Sequence, residues 1–168
     1  MGVAALITPW NGAVVAAAWK LAPALAAGCS VVLKPSEHAT LAVLRLVALL
    51  ESAGVPAGTI NVVPGDGRTI GAALSSHRDV DRVAFTGSTT IGREIVKAAS
   101  GNLKRVSLEL GGKSAVIVCA DADMDSAADT AADAVFGGAG QVCVAGSRVY
   151  VDRACYVPFV EALSERAR

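Results

Sequence analysis

Short, nearly continuous apolar runs alternate along this chain with segments in which apolar residues recur every three or four positions. The short runs predict β-strands, and the segments with the longer period predict α-helices. Strands that are apolar at almost every position are typical of a parallel sheet covered on both faces. The chain is therefore predicted to be α/β, with a Rossmann-like parallel sheet flanked by helices. The predicted strands are 3–7, 30–33, 59–63, 82–85 and 106–110, and the predicted helices are 14–27, 40–52, 69–76 and the segment from 86–88 to about 99.

The same alternation restarts after the glycine pair Gly111-Gly112. We therefore predict a domain boundary there, with one domain at 1–111 and the beginning of a second α/β domain at 112–168. The elements predicted for the second domain are a strand at 114–119, a helix that follows Asp121-Ala122-Asp123 and runs to about Phe136, a strand at 147–151 and a helix at 154–168.

The charge balance and the aromatic content argue against a nucleic-acid-binding protein. The 168 residues include 15 Lys and Arg against 15 Asp and Glu, and only 4% of the residues are aromatic. Binding a phosphate backbone requires a basic surface, and stacking on bases requires aromatic side chains. We therefore expect no nucleic-acid partner.

The first 19 residues carry no charge, and such a segment is long enough to span a bilayer. However, Pro9-Trp10-Asn11-Gly12 provides turn chemistry in its middle, and no basic residue precedes Lys20, as a signal peptide would require. The four cysteines have the spacing of neither a zinc site nor a disulfide framework, which favours reduced thiols. We predict a cytoplasmic protein without a membrane span or a metal site.

Polar residues lie directly after the predicted strands. Asn11, Lys34, Glu37, Ser88 and Glu109 are each at or just past the end of an apolar run. In parallel α/β sheets, ligands bind outside the carboxyl ends of the strands. The sequence therefore predicts a ligand site at this edge of the sheet.

Two glycine-containing turns are candidates for binding phosphate. Gly65-x-Gly67-x-x-x-Gly71 follows a strand and opens a helix, but its spacing is one residue longer than the usual dinucleotide fingerprint. Phe85-Thr86-Gly87-Ser88-Thr89 also opens a helix, where free backbone N–H groups and hydroxyls favour an anion. The first turn could equally be a plain strand-to-helix connection, and in the second Ser88 could be a simple helix cap.

Two charged groups near strand ends have a chemical and a structural interpretation. The turn Lys34-Pro35-Ser36-Glu37 offers a donor and an acceptor for ribose hydroxyls, although a solvated surface turn would have the same composition. Glu109 is flanked by Leu108 and Leu110, which predicts a buried carboxylate with a raised pKa, suited to a general base. The alternative for Glu109 is an ion pair at the end of the sheet.

Cys143 follows the glycine-rich segment 137–141 and is predicted to open a short helical turn. Close backbone approach and helix-end N–H groups would activate the thiol and provide an oxyanion site. A lone cysteine is more often a small core residue. Cys29, Cys119 and Cys155 are given that interpretation because their neighbours are apolar or helical.

Taken together and in this order, these segments resemble the aldehyde dehydrogenase superfamily, and the resemblance covers essentially the whole chain. The segments that carry it are Thr8-Pro9-Trp10-Asn11, Lys34-Pro35-Ser36-Glu37, Phe85-Thr86-Gly87-Ser88-Thr89, Leu108-Glu109-Leu110-Gly111-Gly112-Lys113, Ala120-Asp121-Ala122-Asp123, Gly140-Gln141-Val142-Cys143 and Ala145-Gly146-Ser147-Arg148.

The resemblance implies an NAD(P)+-dependent oxidation of an aldehyde to a carboxylic acid. Cys143 would attack the aldehyde to give a thiohemiacetal and then a thioester. The Asn11 amide and the Cys143 backbone N–H would form the oxyanion hole, and Glu109 would activate the hydrolytic water. The residues that would bind the cofactor are Thr8, Pro9, Trp10, Lys34, Ser36, Glu37, Gly67, Gly87, Ser88 and Gly111.

Within the resemblance, the phosphate contact is expected at Gly87 and Ser88 rather than at the Gly65 turn. Glu37 would accept from a free ribose hydroxyl and repel a 2′-phosphate, so NAD+ is favoured over NADP+. Residues 1–111 would be part of the NAD-binding domain, and 112–168 the start of the catalytic domain.

Members of this superfamily are nearly three times as long as the chain. We therefore expect it to be an internal part of a longer homo-oligomeric protein, inactive or nearly so by itself. Two alternatives stay open: a CoA-acylating dehydrogenase, in which CoA resolves the thioester, and a non-catalytic nucleotide-binding or structural remnant. The presence of Glu109 favours hydrolysis, because the acylating route does not require a base that activates water.

Overall fold

A computed structural model describes residues 2–168. They divide into two compact units, the first ending at Leu110 and the second spanning Gly111–Arg168. This division falls next to the predicted boundary, while the assignment of the units to cofactor binding and catalysis stays a prediction.

The first unit is a five-stranded parallel sheet flanked by helices, which confirms the predicted fold class. The strand order is β3-β2-β1-β4-β5, so the first strand of the chain lies in the centre. The strands are β1 (Val3–Ile7), β2 (Ser30–Lys34), β3 (Ile60–Val62), β4 (Arg82–Thr86) and β5 (Arg105–Glu109), and the helices are α1 (Ala13–Ala26), α2 (Thr40–Ser52), α3 (Ala72–Ser76) and α4 (Thr89–Ala99).

The central strand β1 is buried on both faces, as its continuous apolar sequence predicts. Ala4 and Leu6 contribute to the core cluster that includes residues of α1 and α2. Ala5 and Ile7 contribute to a second cluster, which includes Ile95 of α4. Because successive side chains of a strand point to opposite faces, one short run supplies both cores.

The helix predicted at 69–76 begins differently from the expectation. A single π-helical turn, Gly67–Gly71, precedes α3. The carboxylate of Asp66 accepts hydrogen bonds from the backbone N–H groups of Arg68 and Thr69 and so caps this turn. Because Asp66 caps the turn, the helical segment begins at Gly67, two residues before the start that the spacing of apolar residues predicts.

The second unit contains two parallel strands, two α-helices and two short 3-10 helices, Gly137–Gly140 and Arg153–Cys155. These are β6 (Ala115–Val118), α5 (Met124–Phe136), β7 (Arg148–Val151) and α6 (Tyr156–Arg166). Its core includes Val118, Ala128, Ala131 and the fully buried ring of Phe159. Arg166 ties α6 to α5 through ion pairs with Asp125, at 3.1 Å, and with Asp129.

Two of the three cysteines predicted to be core residues are buried, namely Cys29 and Cys155. The prediction for Cys119 is wrong, because its side chain is exposed. Strand β6 buries Val118 in the core, and the alternation of side chains directs the next residue to the opposite face. The apolar neighbours of Cys119 therefore indicate the strand but not the face.

Within residues 2–168, no helix combines the length and the apolar character that crossing a bilayer requires. The longest described helix is α1 with 14 residues, and about 20 are needed for a span.

Replacing Phe159 by alanine is expected to destabilise the second unit by about 3–5 kcal/mol, because it removes a fully buried ring from a small core. Urea unfolding followed by circular dichroism measures the change. Val157→Ala, at an exposed position on the same helix, is the matched control and should change stability by less than about 0.5 kcal/mol. Equal effects of the two substitutions would contradict the assigned core.

Candidate active site

The segment after the central strand enters the carboxyl edge of the sheet. The backbone N–H of Thr8 donates to the carbonyl of Lys34 at 3.0 Å and so extends the pairing of β1 with β2. Thr8 is buried, and its hydroxyl is the buried side-chain polar atom without a hydrogen-bond partner in the described part of the chain. Pro9 and Asn11 are half-buried and Trp10 is 51% exposed. The segment therefore presents an indole, an amide and an unused hydroxyl close to this edge.

The turn after β2 places a buried cation beside an exposed carboxylate. The Lys34 ammonium donates to the carbonyl of Pro35 at 2.9 Å and lies 3.6 Å from the carboxylate of Glu37. The hydroxyl of Thr40 donates to the carbonyl of Ser36 and fixes the start of α2. Lys34 is only 3% exposed, so a simple solvated turn does not account for it.

The pKa of Glu37 is held below its ordinary value, chiefly by a hydrogen bond from its own backbone N–H and also by the charge of Lys34. Its carboxylate is therefore ionised at neutral pH and acts only as a hydrogen-bond acceptor. Next to it, the lysine supplies donors. This pair has the composition that recognises a diol, such as the hydroxyls of a ribose.

In the turn after β3, the backbone N–H groups form hydrogen bonds within the turn itself. The donors at Arg68 and Thr69 bond to Asp66 at 2.8 and 3.2 Å, so an internal carboxylate occupies the place that a phosphate would take. Gly67 is exposed in this turn, and its role in cofactor binding stays a prediction.

The turn after β4 leads into α4. The N–H of Gly87 donates to the carbonyl of Glu109 at 3.1 Å, and a Cβ at Gly87 would clash with the ring of Phe85. The hydroxyl of Ser88 accepts from the N–H of Ile91 at 3.3 Å, so Ser88 is a helix cap. Because a hydroxyl also has a proton to donate, capping leaves it able to bond an anion at the helix N-terminus.

The predicted burial of Glu109 is wrong, because its side chain is exposed at the end of β5. Leu108 and Leu110 pack against one core cluster, which directs Glu109 to the other face of the strand. Among the described residues β5 is one of the two edge strands, and its face at Glu109 is less covered than the faces of the central strand β1. Flanking leucines therefore predicted the strand correctly and the environment of the carboxylate incorrectly.

Lys20, which the sequence did not single out, interacts electrostatically with Glu109. Burial lowers the pKa of the Lys20 ammonium, and the negative charge of Glu109 acts in the opposite direction. The available signal was that Lys20 is the one charged residue in the sequence of α1. This attraction makes Lys20 a cationic neighbour of Glu109 and is compatible with a role of Glu109 as a base.

Cys143 lies in the second unit, in a turn closed by a hydrogen bond from the N–H of Ala145 to the carbonyl of Val142 at 3.0 Å. Its side chain is exposed, so the core interpretation of this cysteine does not hold. The predicted turn is present, but the next element is β7 rather than a helix. The Cys143 thiol is therefore not at the start of a helix, where backbone N–H groups would surround it.

The glycine-rich segment before Cys143 has an unusual backbone. Gly138 and Gly140 have positive φ values of 59° and 71°, and Ala139 adopts 58° without being glycine. Positive φ at a residue with a Cβ is uncommon and costs conformational energy. Glycines on both sides of Ala139 allow the chain to reverse sharply before the cysteine turn.

In the first unit, the predicted site residues lie at one edge of the sheet, because they follow parallel strands whose carboxyl ends are at the same edge. These are Thr8, Pro9, Trp10, Asn11, Lys34, Ser36, Glu37, Gly67, Gly87, Ser88 and Glu109. Gly111, which is exposed, and Cys143 belong to the second unit. No group of three or more His, Cys, Asp and Glu side chains suited to a metal ion occurs within residues 2–168.

A parallel α/β sheet with ligand-type side chains at its carboxyl edge defines a class of nucleotide-binding folds. Comparison with known families narrows the class: the profile of the aldehyde dehydrogenase family matches residues 1–168, and the chain belongs to this family. The resemblance seen in the sequence is thereby confirmed.

Similar proteins are known from sequence and from crystal structures. Aldehyde dehydrogenase, cytosolic 1, and retinaldehyde dehydrogenase 3, both from Mus musculus, are each 52% identical to this chain over 169 residues, which cover 100% of it. The matched part is 34% and 33% of these relatives, so the chain spans about a third of their length. Betaine aldehyde dehydrogenase from Staphylococcus aureus, solved in complex with NAD+, is 46% identical with a TM-score of 0.95, covering 98% of this chain and 33% of that one.

Proposed function

We propose that the protein oxidises an aldehyde to a carboxylic acid with NAD+, and that Cys143 is the nucleophile. The observation that carries this proposal is the exposed Cys143 turn in a chain that belongs to the aldehyde dehydrogenase family along its whole length. An exposed thiol can reach a substrate carbonyl, which a core cysteine cannot.

In the proposed reaction, the Cys143 thiolate forms a bond to the aldehyde carbon, and the carbonyl oxygen becomes an oxyanion. The Asn11 amide and the Cys143 backbone N–H donate hydrogen bonds to that oxygen. NAD+, when bound, accepts the hydride that leaves the carbon, and a thioester remains on Cys143. Glu109 takes a proton from the attacking water, the carbon–sulfur bond breaks, and the acid and the thiolate are released.

The nucleotide would be held by residues of the carboxyl edge. Lys34 and Glu37 offer a donor and an acceptor 3.6 Å apart, which suits the adenine ribose diol. Ser88 and the backbone at Gly87 would meet the pyrophosphate at the start of α4. The NAD+ complex of the Staphylococcus aureus relative supports the choice of cofactor. Thr8, Pro9, Trp10, Ser36, Gly67 and Gly111 are proposed as further contacts.

Glu37→Gln is expected to improve NADP+ binding relative to NAD+ by about fivefold, because it removes a negative charge that would face the 2′-phosphate. Because the pKa of Glu37 is lowered, its carboxylate stays ionised at neutral and alkaline pH, and the wild-type preference for NAD+ should stay constant between about pH 7.5 and pH 9, where the 2′-phosphate is also fully ionised. Fluorescence titration with both nucleotides measures the ratio of dissociation constants. Glu51→Gln, on the exposed end of α2, is the control that should leave the ratio unchanged.

The alternative is a CoA-acylating enzyme, in which a thiol replaces water in the second half of the reaction. Glu109 at the carboxyl edge favours hydrolysis, because the acylating route has no need of a base that activates water. The products that the full-length protein forms distinguish the hydrolytic from the acylating reaction. Free acid in the presence of CoA supports the proposal, and acyl-CoA with no free acid would overturn it.

We also propose that the protein acts in the cytoplasm and as a homo-oligomer. The name of the mouse cytosolic relative supports the first point. Size-exclusion chromatography with light scattering tests the second.

A further inference from the structure

Gly112 lies directly against the backbone of the cysteine turn. A Cβ built on Gly112 would be 2.8 Å from the carbonyl oxygen of Cys143. We propose that Gly112 is a positioning residue: its lack of a side chain sets the place of the Cys143 peptide. This inference rests on the proposed role of Cys143 and adds a residue that supports it.

The contact cannot be relieved by rotating a side chain. Real Cβ atoms essentially never approach another heavy atom within 3.0 Å, and the atom met here belongs to the main chain. Either the segment leading into β6 or the turn at Cys143 must therefore move if a methyl group is added.

The segment at Gly112 is held in place by β7. The Arg148 guanidinium donates to the carbonyl of Lys113 at 2.8 Å, and the Arg148 N–H donates to the carbonyl of Ser114 at 3.2 Å. A shift on this side would break these bonds and disturb the pairing of Ala115 with Arg148 at the start of the two-stranded sheet.

The cysteine turn is anchored mainly at its far end. The N–H of Gly146 donates to the carbonyl of Ala134 at 2.9 Å, and Gly146 packs so closely on Val116 that it has no room for a Cβ. Between the glycine-rich segment and this anchor, Cys143 and its neighbours are exposed, so they have space to move. We therefore expect the cysteine turn, and not the segment at Gly112, to move.

Moving this peptide displaces two groups of the proposed mechanism together, the Cys143 thiol and its backbone N–H. Misplacement of reacting groups by about 1 Å can lower a catalytic rate by about 100-fold without loss of binding. The expected signature of Gly112→Ala is therefore a lower kcat with nearly unchanged NAD+ affinity.

The test compares Gly112→Ala with Gly137→Ala in the protein as its gene encodes it. Gly137 has a φ of −51°, and a Cβ there meets no atom within 4 Å, so it is a matched glycine-to-alanine control near the same turn. Gly112→Ala should lower kcat about 100-fold and leave the NAD+ dissociation constant within about twofold. Gly137→Ala should change neither. An unchanged kcat in Gly112→Ala would overturn the inference.

Iodoacetamide alkylation, read by mass spectrometry at each cysteine, separates a displaced turn from an unfolded protein. Cys119 is exposed and serves as the internal reference, whereas Cys29 and Cys155 are buried and report unfolding. In Gly112→Ala the rate at Cys143 relative to Cys119 should change by a factor of about 3 or more, because the surroundings of the thiol change, with the buried cysteines still protected. An unchanged ratio, or alkylation of the buried cysteines, would overturn the inference.

The two proposals fail in different ways. A wild-type protein that forms no NADH from aldehydes contradicts the proposed function, while the alkylation ratio still measures whether Gly112 positions Cys143.

Discussion

Replacing Cys143 by serine should lower the rate of NADH formation by a factor of about 10⁴ or more. The thiolate forms the bond to the substrate carbon in the proposed reaction, and a serine hydroxyl is far less ionised at neutral pH. Loss of a catalytic nucleophile in other enzymes costs rate factors of this size. The measurement is steady-state NADH formation with saturating aldehyde and NAD+.

Cys119→Ser provides the matched control for this substitution. Cys119 is also exposed and lies in the same unit, so the change in chemistry is identical while the position differs. Its rate should equal that of the wild type. If Cys143→Ser kept more than about a hundredth of the wild-type rate, the nucleophile would have to be another group.

Replacing Glu109 by glutamine should slow the second half of the reaction by a factor of about 10²–10⁴, the usual contribution of a general base. Glutamine keeps the size of the side chain but cannot accept a proton from water. Because the first half needs no base that activates water, NADH should form rapidly up to one equivalent per active site and then slowly. Rapid-mixing kinetics detects this burst.

Glu94→Gln, on the exposed face of α4, is the control for loss of a surface carboxylate and should show wild-type kinetics. A Glu109→Gln enzyme without a burst and with an unchanged steady-state rate would show that Glu109 is not the base of the second half of the reaction. Restoration of fast turnover by added CoA would instead favour the acylating alternative.

The parallel sheet could be predicted because its inner strands β1 and β2 are largely buried on both faces, which gives the runs 3–7 and 30–33 an apolar residue at nearly every position. The alternation of side chains is invisible in such a run. Cys119 follows such a run, so the sequence did not predict its face. The segment 106–110 does alternate and places Glu109 opposite the leucines, but the sequence did not predict that this face is exposed. Burial of a single position depends on what covers that face.

Candidate site residues after the strands could also be predicted, because the end of an apolar run is easy to locate. The contacts among these site residues could not be predicted from the sequence. The 97% burial of Lys34 depends on its surroundings in the folded unit, including Gly71, whose added Cβ would lie 4.0 Å from the lysine side chain. Likewise, the coupling of Lys20 to Glu109 joins residues 89 positions apart in sequence.

The central claim is that an acyl group passes through Cys143, and the mass of the peptide containing Cys143 tests it most directly. The protein as its gene encodes it is mixed with aldehyde and NAD+, quenched in acid and digested. A thioester adds the mass of the aldehyde less two hydrogens, and we expect this increase on Cys143 and on no other cysteine. NADH formation with Cys143 unmodified, or with the acyl group on a different residue, would contradict the account.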